Sequence, residues 1–156
     1  MRILISGHNG FLGRHLQRGL LSTNHNYLII FLTKSDFQSV NLNNKVNQND
    51  IIFHFAGVNR GISDKIVAEK NERINNTLLK VLDKVNFSGK LFFTSSIQEN
   101  SNTQYGKAKK NARLKFLNQS KELGYVFHGL ILPNLFGSFC KPNYNSFIAT
   151  FSYNII

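Results

Sequence analysis

Tyr105 and Lys109 lie four residues apart, a spacing that puts a phenol and an ammonium on one face of a helix. A lysine ammonium beside a phenol favours the phenolate and lowers the phenol's pKa. Two hydroxyls, Ser95 and Ser96, close an apolar run that ends nine residues before Tyr105. A hydroxyl at a strand end could share the proton or bind the reacting oxygen. A second kind of chemistry sits near the start of the chain. Gly7, Gly10 and Gly13 recur at a three-residue spacing in Gly7-His8-Asn9-Gly10-Phe11-Leu12-Gly13, directly after the apolar run Arg2–Ser6. Gly7 permits a tight turn, Gly10 lets the backbone approach a pyrophosphate, and Gly13 lets a helix pack close to a sheet. The free N–H groups of that helix would then face the phosphate. The spacing is one residue wider than G-x-G-x-x-G, and a plain tight turn would also account for it.

These groups need strands and helices to position them. Residues 2–6, 27–32, 51–55, 90–95 and 125–132 read as buried strands, being apolar throughout rather than alternating. Residues 11–21, 65–85 and 106–123 carry helical spacing; in the second, Ile74, Leu78, Val81, Leu82 and Val85 form an apolar stripe. The polar connection 33–50 predicts a short or irregular crossover. Strand–helix alternation of this kind predicts an α/β fold, a doubly wound parallel sheet with helices on both faces. No repeat or linker divides residues 1–156, so one domain is expected.

Composition narrows the classes. With 156 residues and 42% hydrophobic content, the chain can bury a real core, and no apolar run approaches a membrane span of ~20 residues. The first apolar stretch is broken by Gly7, His8 and Asn9, which does not suit a signal peptide. A single cysteine, Cys140, excludes an internal disulfide framework and fits a reducing cytoplasm. Nineteen Lys+Arg against eight Asp+Glu give +11, a balance that suits acidic partners. The densest cluster, Lys107, Lys109, Lys110, Arg113 and Lys115, splits between two helical faces and forms no single stripe. Nucleic acid is therefore not expected as a partner. No His/Cys/Asp/Glu cluster has ligand spacing, so no metal is expected.

Taken together, a glycine turn opening the chain, a strand ending in Ser-Ser and a downstream Tyr-x-x-x-Lys resemble the extended short-chain dehydrogenase/reductase superfamily. The resemblance implies a Rossmann domain in which Ser96 (Ser95 as the fallback), Tyr105 and Lys109 are catalytic. Tyr105 would exchange the proton, and Lys109 would bind the nicotinamide ribose and lower the tyrosine pKa. Three further segments narrow the resemblance: His54-Phe55-Ala56-Gly57-Val58-Asn59-Arg60, Phe93-Thr94-Ser95-Ser96-Ile97-Gln98 and Leu132-Pro133-Asn134-Leu135-Phe136-Gly137, the last running on to Ser146. They look like the bifunctional capsular-polysaccharide enzymes of the UDP-N-acetyl-L-fucosamine pathway, which join an NADPH-dependent reductase domain to a cupin epimerase. That implies reduction of the 4-keto group of a UDP-2-acetamido-2,6-dideoxy-hexosulose, with a UDP-amino-sugar as partner and a homodimer left open.

Site assignments follow. Gly7, Gly10, Phe11, Leu12, Gly13 and Arg14 would form the phosphate turn, with Ala56, Gly57 and Pro133 along the cofactor's path and Tyr105 and Lys109 also in contact with the cofactor. Asn71 matches a family asparagine near the cofactor. Lys34, just past the second strand, would pair with a ribose 2′-phosphate, favouring NADP(H) over NAD(H); Asp36 is the rival and would suggest NAD. By resemblance Asn134, Asn143, Tyr144 and Asn145 would contact the nucleotide-sugar. Asn145 and Ser146 also read as the N-cap of a helix from Phe147, whose apolar run to Ile156 looks cut rather than completed. The family's sugar-binding portion and cupin have no counterpart here, so truncation and impaired turnover are expected. Two rivals stand beside this reading: another extended family member, such as an epimerase or dehydratase, and a non-catalytic dinucleotide-binding remnant. A dehydratase usually needs an acid pair beside the serine, and Ile97-Gln98 follows Ser96 instead.

Overall fold

Strands β1 (Arg2–Ser6), β2 (Leu28–Leu32), β3 (Ile51–His54), β4 (Lys90–Ser96) and β5 (Val126–Leu132) form one parallel sheet in the order β2-β1-β3-β4-β5. The computed structural model describes residues 1–144 and 146–155. Between the strands run α1 (Phe11–Leu21), α2 (Asn41–Lys45), α3 (Asp64–Lys84) and α4 (Gln104–Leu123), and α5 (Phe147–Ile155) follows β5. Right-handed crossovers place α1 on one face, because β1 to β2 runs one way across the sheet. They place α3 and α4 on the other, because β3 to β4 to β5 runs the opposite way. This is the doubly wound, Rossmann-like arrangement that strand–helix alternation predicts. Its winding reverses between β1 and β3, and α/β proteins open their ligand crevice at the carboxyl ends of the strands there.

The core lies under α3 and α4. Leu78, Val81 and Leu82 of the α3 stripe and Phe116 of α4 pack on Leu4, Ile52, Leu91 and Phe93, all at most 4% exposed. Each such side chain contributes about 1.5–3 kcal/mol by leaving water. Both long helices are capped locally. The Ser63 Oγ accepts from the Ile66 N–H at 3.3 Å, the Thr103 Oγ1 from the Gly106 N–H at 3.0 Å, and α4 ends at Gly124 with φ 81°. In α5, the Ser146 Oγ accepts from the Ala149 N–H at 3.3 Å; Asn145, the other expected cap residue, lies outside the described residues.

Two strands differ from expectation. β2 and β5 are not buried throughout: Leu28 and Phe31, and Val126, Leu130 and Ile131, are exposed. The cause is position, since both are sheet edges and the face opposite α3 and α4 carries no helix near β5 among the described residues. On that face Phe53, Phe92 and His128 stand in register across β3, β4 and β5 and stack at 4.6 Å between centroids. The 33–50 crossover is short and irregular as expected, with a 3-10 turn at Asp36–Gln38 followed by α2. Among the described residues no helix is long and apolar enough to cross a membrane.

Candidate active site

The β1–α1 turn is built for a close approach. Gly7 has φ 69°, a backbone conformation that L side chains rarely adopt, and its carbonyl accepts from the Gly10 N–H at 2.9 Å. A Cβ at Gly13 would lie 2.5 Å from His8 Cα, so only glycine lets α1 sit this close beneath the turn. Gly10, the N-cap, has no side chain to answer the helix, and the first turn carries no acid. By helix geometry the main-chain N–H groups of Phe11, Leu12 and Gly13 have no acceptor within α1. With the helix dipole behind them they form an anion site. His8, in the same turn, stacks on Phe31 at 4.5 Å, and its buried Nδ1 has no hydrogen-bond partner among the described residues.

Beside the turn, a buried network joins the ends of β1 and β3. The His54 Nε2–H donates to Asn75 Oδ1 at 3.0 Å, so Nδ1 accepts from the Ser6 hydroxyl at 2.7 Å. Ser6 Oγ in turn accepts from the Ala56 N–H at 3.1 Å. Burial, reinforced by the Lys109 charge and only partly opposed by Asn75, brings His54 down to about 4, so the imidazole is neutral. Asn71 does a related job one turn earlier on α3. Its Nδ2 donates to the Val58 and Val67 carbonyls at 2.7 and 2.9 Å, and its Oδ1 accepts from the Val58 N–H at 2.9 Å. Asn71 therefore shapes the loop that carries Ala56 and Gly57 and does not itself line the cleft.

The two serines at the end of β4 part company. Both line the cleft, but the Ser95 hydroxyl is buried and donates to Glu99 Oε2 at 2.7 Å. Glu99 is gripped by Arg113 through Nε at 3.0 Å and Nη2 at 2.8 Å. The Arg113 guanidinium outweighs burial and holds the Glu99 carboxyl below the usual carboxylate range. Ser96, half-buried, caps the 3-10 turn Ile97–Asn100 by accepting from the Gln98 N–H at 3.2 Å and lines the cleft.

Tyr105 and Lys109 share one face of α4, as their spacing predicts, but the phenol's pKa moves the other way. The Lys109 Nζ donates to the Thr94 carbonyl at 3.1 Å and stands 6.0 Å from the Tyr105 ring centre. Burial raises the Tyr105 phenol and lowers the Lys109 ammonium to about 8. Desolvation of both groups, not the attraction between them, sets the direction. The Tyr105 hydroxyl donates to Asn59 Oδ1 at 3.3 Å. Asn59 also lines the cleft, and sequence reasoning assigned it no part. Only the folding of the β3–α3 loop against α4 brings it there.

At the far end of the cleft Arg14 and Lys34 face the same space. Asp36 does not: it is 4% exposed and held by Thr33 and Lys45. From the β5 side, Pro133, Asn134 and Tyr144 reach the cleft. Asn143 does not line it. Its backbone turns left-handed at φ 56°, with its N–H donating to Thr150 Oγ1 and its carbonyl accepting from Arg60. Asn145 lies outside the described residues. Phe139 folds back over α1, 4.1 Å below the Arg18 guanidinium and 5.7 Å from that of Arg14.

The result is one cleft of about 1460 Å³ at the carboxyl edge of the sheet. That exceeds the ~300–1,000 Å³ of a usual small-molecule site. The glycine turn, Lys34, Ala56, Gly57, Ser96, Tyr105, Lys109 and Asn134 all line it, and Asp64 is the one acid among its described lining residues. Uncapped N–H donors, a lining with six Lys or Arg side chains against one acid, and a glycine floor fit a dinucleotide with its phosphates. Among the described residues no three His, Cys, Asp or Glu side chains gather as a metal site.

The sequence pattern of the NAD dependent epimerase/dehydratase family matches residues 3–156. A Pseudomonas aeruginosa protein named UDP-2-acetamido-2,6-beta-L-arabino-hexul-4-ose reductase is 33% identical over 156 residues, all of this chain and 41% of that protein. The chain thus spans less than half the length of this curated relative. Among solved structures, the capsular polysaccharide assembling protein CapF from Staphylococcus aureus is 30% identical, with a TM-score of 0.80 over 99% of this chain and 40% of that one. A UDP-glucose 4-epimerase from Thermotoga maritima shares the fold, with a TM-score of 0.81 at 18% identity over 97% of this chain and 62% of that one.

Proposed function

The chain belongs to the NAD dependent epimerase/dehydratase family, and from that premise we propose that it binds NADPH and serves the reduction of the 4-keto group of a UDP-2-acetamido-2,6-dideoxy-hexosulose. The observation that carries the reading is a single cleft shared by the glycine turn and the Ser96, Tyr105 and Lys109 side chains. The 33% identical relative is named for reduction of a hexul-4-ose, which supports the substrate class. The preference of this chain for NADPH is inferred from Arg14 and Lys34, two cations that line the cleft and could pair with a 2′-phosphate, and from Asp36, which is buried and does not line it.

Bound NADPH would supply the hydride. Tyr105 gives the proton to the developing alkoxide, its phenol being protonated at neutral pH as a reduction needs; burial raises its pKa, so the transfer relies on the nearby Lys109 charge to stabilise the phenolate. Ser96 donates a second hydrogen bond to the same oxygen. Lys109, which lines the same cleft, would hold the ribose hydroxyls, as the family resemblance implies. Asn134 and Tyr144 would meet the nucleotide-sugar, with Asn143 and Asn145 assigned by resemblance alone. A dehydratase reading is disfavoured, because Glu99, the acid nearest Ser96 in sequence, is buried and bound to Arg113 and Ser95. Turnover from these 156 residues alone is expected to be weak. A nucleotide-sugar needs walls on both sides to exclude water and hold its carbonyl at near-attack distance.

The test is titration with NADPH and NADH, followed by NADPH oxidation in the presence of the UDP-4-keto sugar. Tighter binding of NADPH and oxidation dependent on the sugar are expected. No binding of either cofactor at millimolar concentration would overturn the reading in favour of a remnant without chemistry.

A further inference from the structure

We propose that Lys45, by tying the Asp36 carboxylate beneath the turn that follows β2, sets the site's preference for the 2′-phosphorylated dinucleotide. The inference rests on the NADPH reading above and deepens it. The turn carries two side chains of opposite sign, Lys34 and Asp36, two residues apart. Which of them faces the ribose 2′ position decides the cofactor, since a carboxylate grips a 2′-hydroxyl and a cation pairs with a 2′-phosphate. Lys34 faces the cleft, whereas Asp36 is 4% exposed and is not among the cleft's lining residues.

Three donors hold Asp36 there, all on Oδ2: the Thr33 N–H at 2.7 Å, the Thr33 hydroxyl at 2.7 Å and the Lys45 Nζ at 2.9 Å. The Asp36 N–H returns a bond to the Thr33 carbonyl at 3.1 Å, which closes the turn. Lys45 comes from α2 and also donates to the Phe31 carbonyl at 3.3 Å, so the tether is anchored to β2 itself. Burial works to raise the Asp36 carboxyl, but Lys45 and Thr33 together hold it below the usual carboxylate range. The carboxylate is thus charged and satisfied in place. Without Lys45 it would be a buried anion with no cation, which favours swinging out to water on the side of the 2′ position. There it would repel a phosphate and accept from a hydroxyl. Lys45 does not line the cleft, so it acts as a positioning residue.

The experiment compares dissociation constants for NADPH and NADH in the wild-type chain, in Lys45→Met and in Lys45→Met/Asp36→Asn. Binding is read from nicotinamide emission, which is uncluttered because the chain has no tryptophan. The ratio of NADPH to NADH affinity is expected to fall about ten-fold in Lys45→Met, from one added charge near a phosphate at the cleft mouth. It is expected to recover in the double variant, a rescue that damage to the fold would not produce. Should Lys45→Met not fold, Thr33→Val loosens the same carboxylate from its other side and carries the same expected drop. A wild-type preference for NADPH with an unchanged ratio in the folded single variant, or no recovery in the double variant, overturns the inference alone. A wild-type chain with no preference for NADPH overturns the cofactor reading and the inference with it.

Discussion

Two glycines of α1 should respond in opposite ways to the same substitution. At Gly19 a Cβ would meet nothing within 4 Å, so Gly19→Ala gains only helix propensity, about 1 kcal/mol. For a domain of this size that raises the melting temperature by about 2–4 °C. At Gly13 the same propensity gain is available, but the new Cβ would lie 2.5 Å from His8 Cα and 2.7 Å from the His8 carbonyl carbon. These are backbone atoms and cannot rotate away, so α1 must withdraw from the turn by about 1 Å to restore ordinary contact. Overpacking of this kind costs about 1–3 kcal/mol. Gly13→Ala is therefore expected to lower the melting temperature by up to several degrees. The larger effect falls on the ligand. A shift of about 1 Å carries the N–H groups of Phe11 and Leu12 off the phosphate, and misplacement on that scale can cost about 10²-fold. Thermal melts and NADPH titrations of both variants check this. If Gly13→Ala stabilised the protein as Gly19→Ala does and bound NADPH normally, the close approach of helix and turn would have no functional meaning.

Lys109 ties stability to pH. Its ammonium sits at about 8 in the fold against an ordinary 10.5, so between those values the unfolded chain holds the extra proton and stability rises with pH. Chemical denaturation should show that rise between about pH 8 and 10 in wild type, and Lys109→Met should remove it. Tyr105→Phe should lower any NADPH-dependent reduction by about 10²–10⁴-fold while leaving the NADPH dissociation constant within about two-fold; a matching loss of binding would show that the phenol holds the cofactor instead. Glu99→Gln should destabilise the chain by about 2 kcal/mol, on the modest side for a buried pair because Arg113 keeps some access to water. A urea midpoint that does not move would mean that the Glu99–Arg113–Ser95 cluster is not what holds the end of β4.

The parts of the fold that could be read from the sequence are those whose signal is local. Arg2–Ser6 followed by glycines at 7, 10 and 13 specifies strand, turn and helix within thirteen residues, and the four-residue spacing of Tyr105 and Lys109 specifies a shared face. What could not be read depends on distant partners. Leu130 and Ile131 are apolar but exposed because β5 is an edge, which its own composition cannot reveal. Asp36 looks like a free loop carboxylate until Lys45, nine residues on, closes over it. Asn71 resembles a surface residue until the β3–α3 loop folds Val58 onto its amide. The direction of the Tyr105 pKa follows burial in the folded chain, whereas the i, i+4 spacing to Lys109 predicts the opposite sign.

The most direct test of the account is a nuclear Overhauser measurement on the NADPH complex, with the five tyrosines resolved by substitution. The proton at C4 of the nicotinamide should show a contact to the ring of Tyr105, while the adenosine protons should show contacts near Lys34 and none to Tyr105. NADPH bound with its adenosine against Tyr105, or with its nicotinamide far from that ring, would contradict the orientation on which the proposed proton transfer depends.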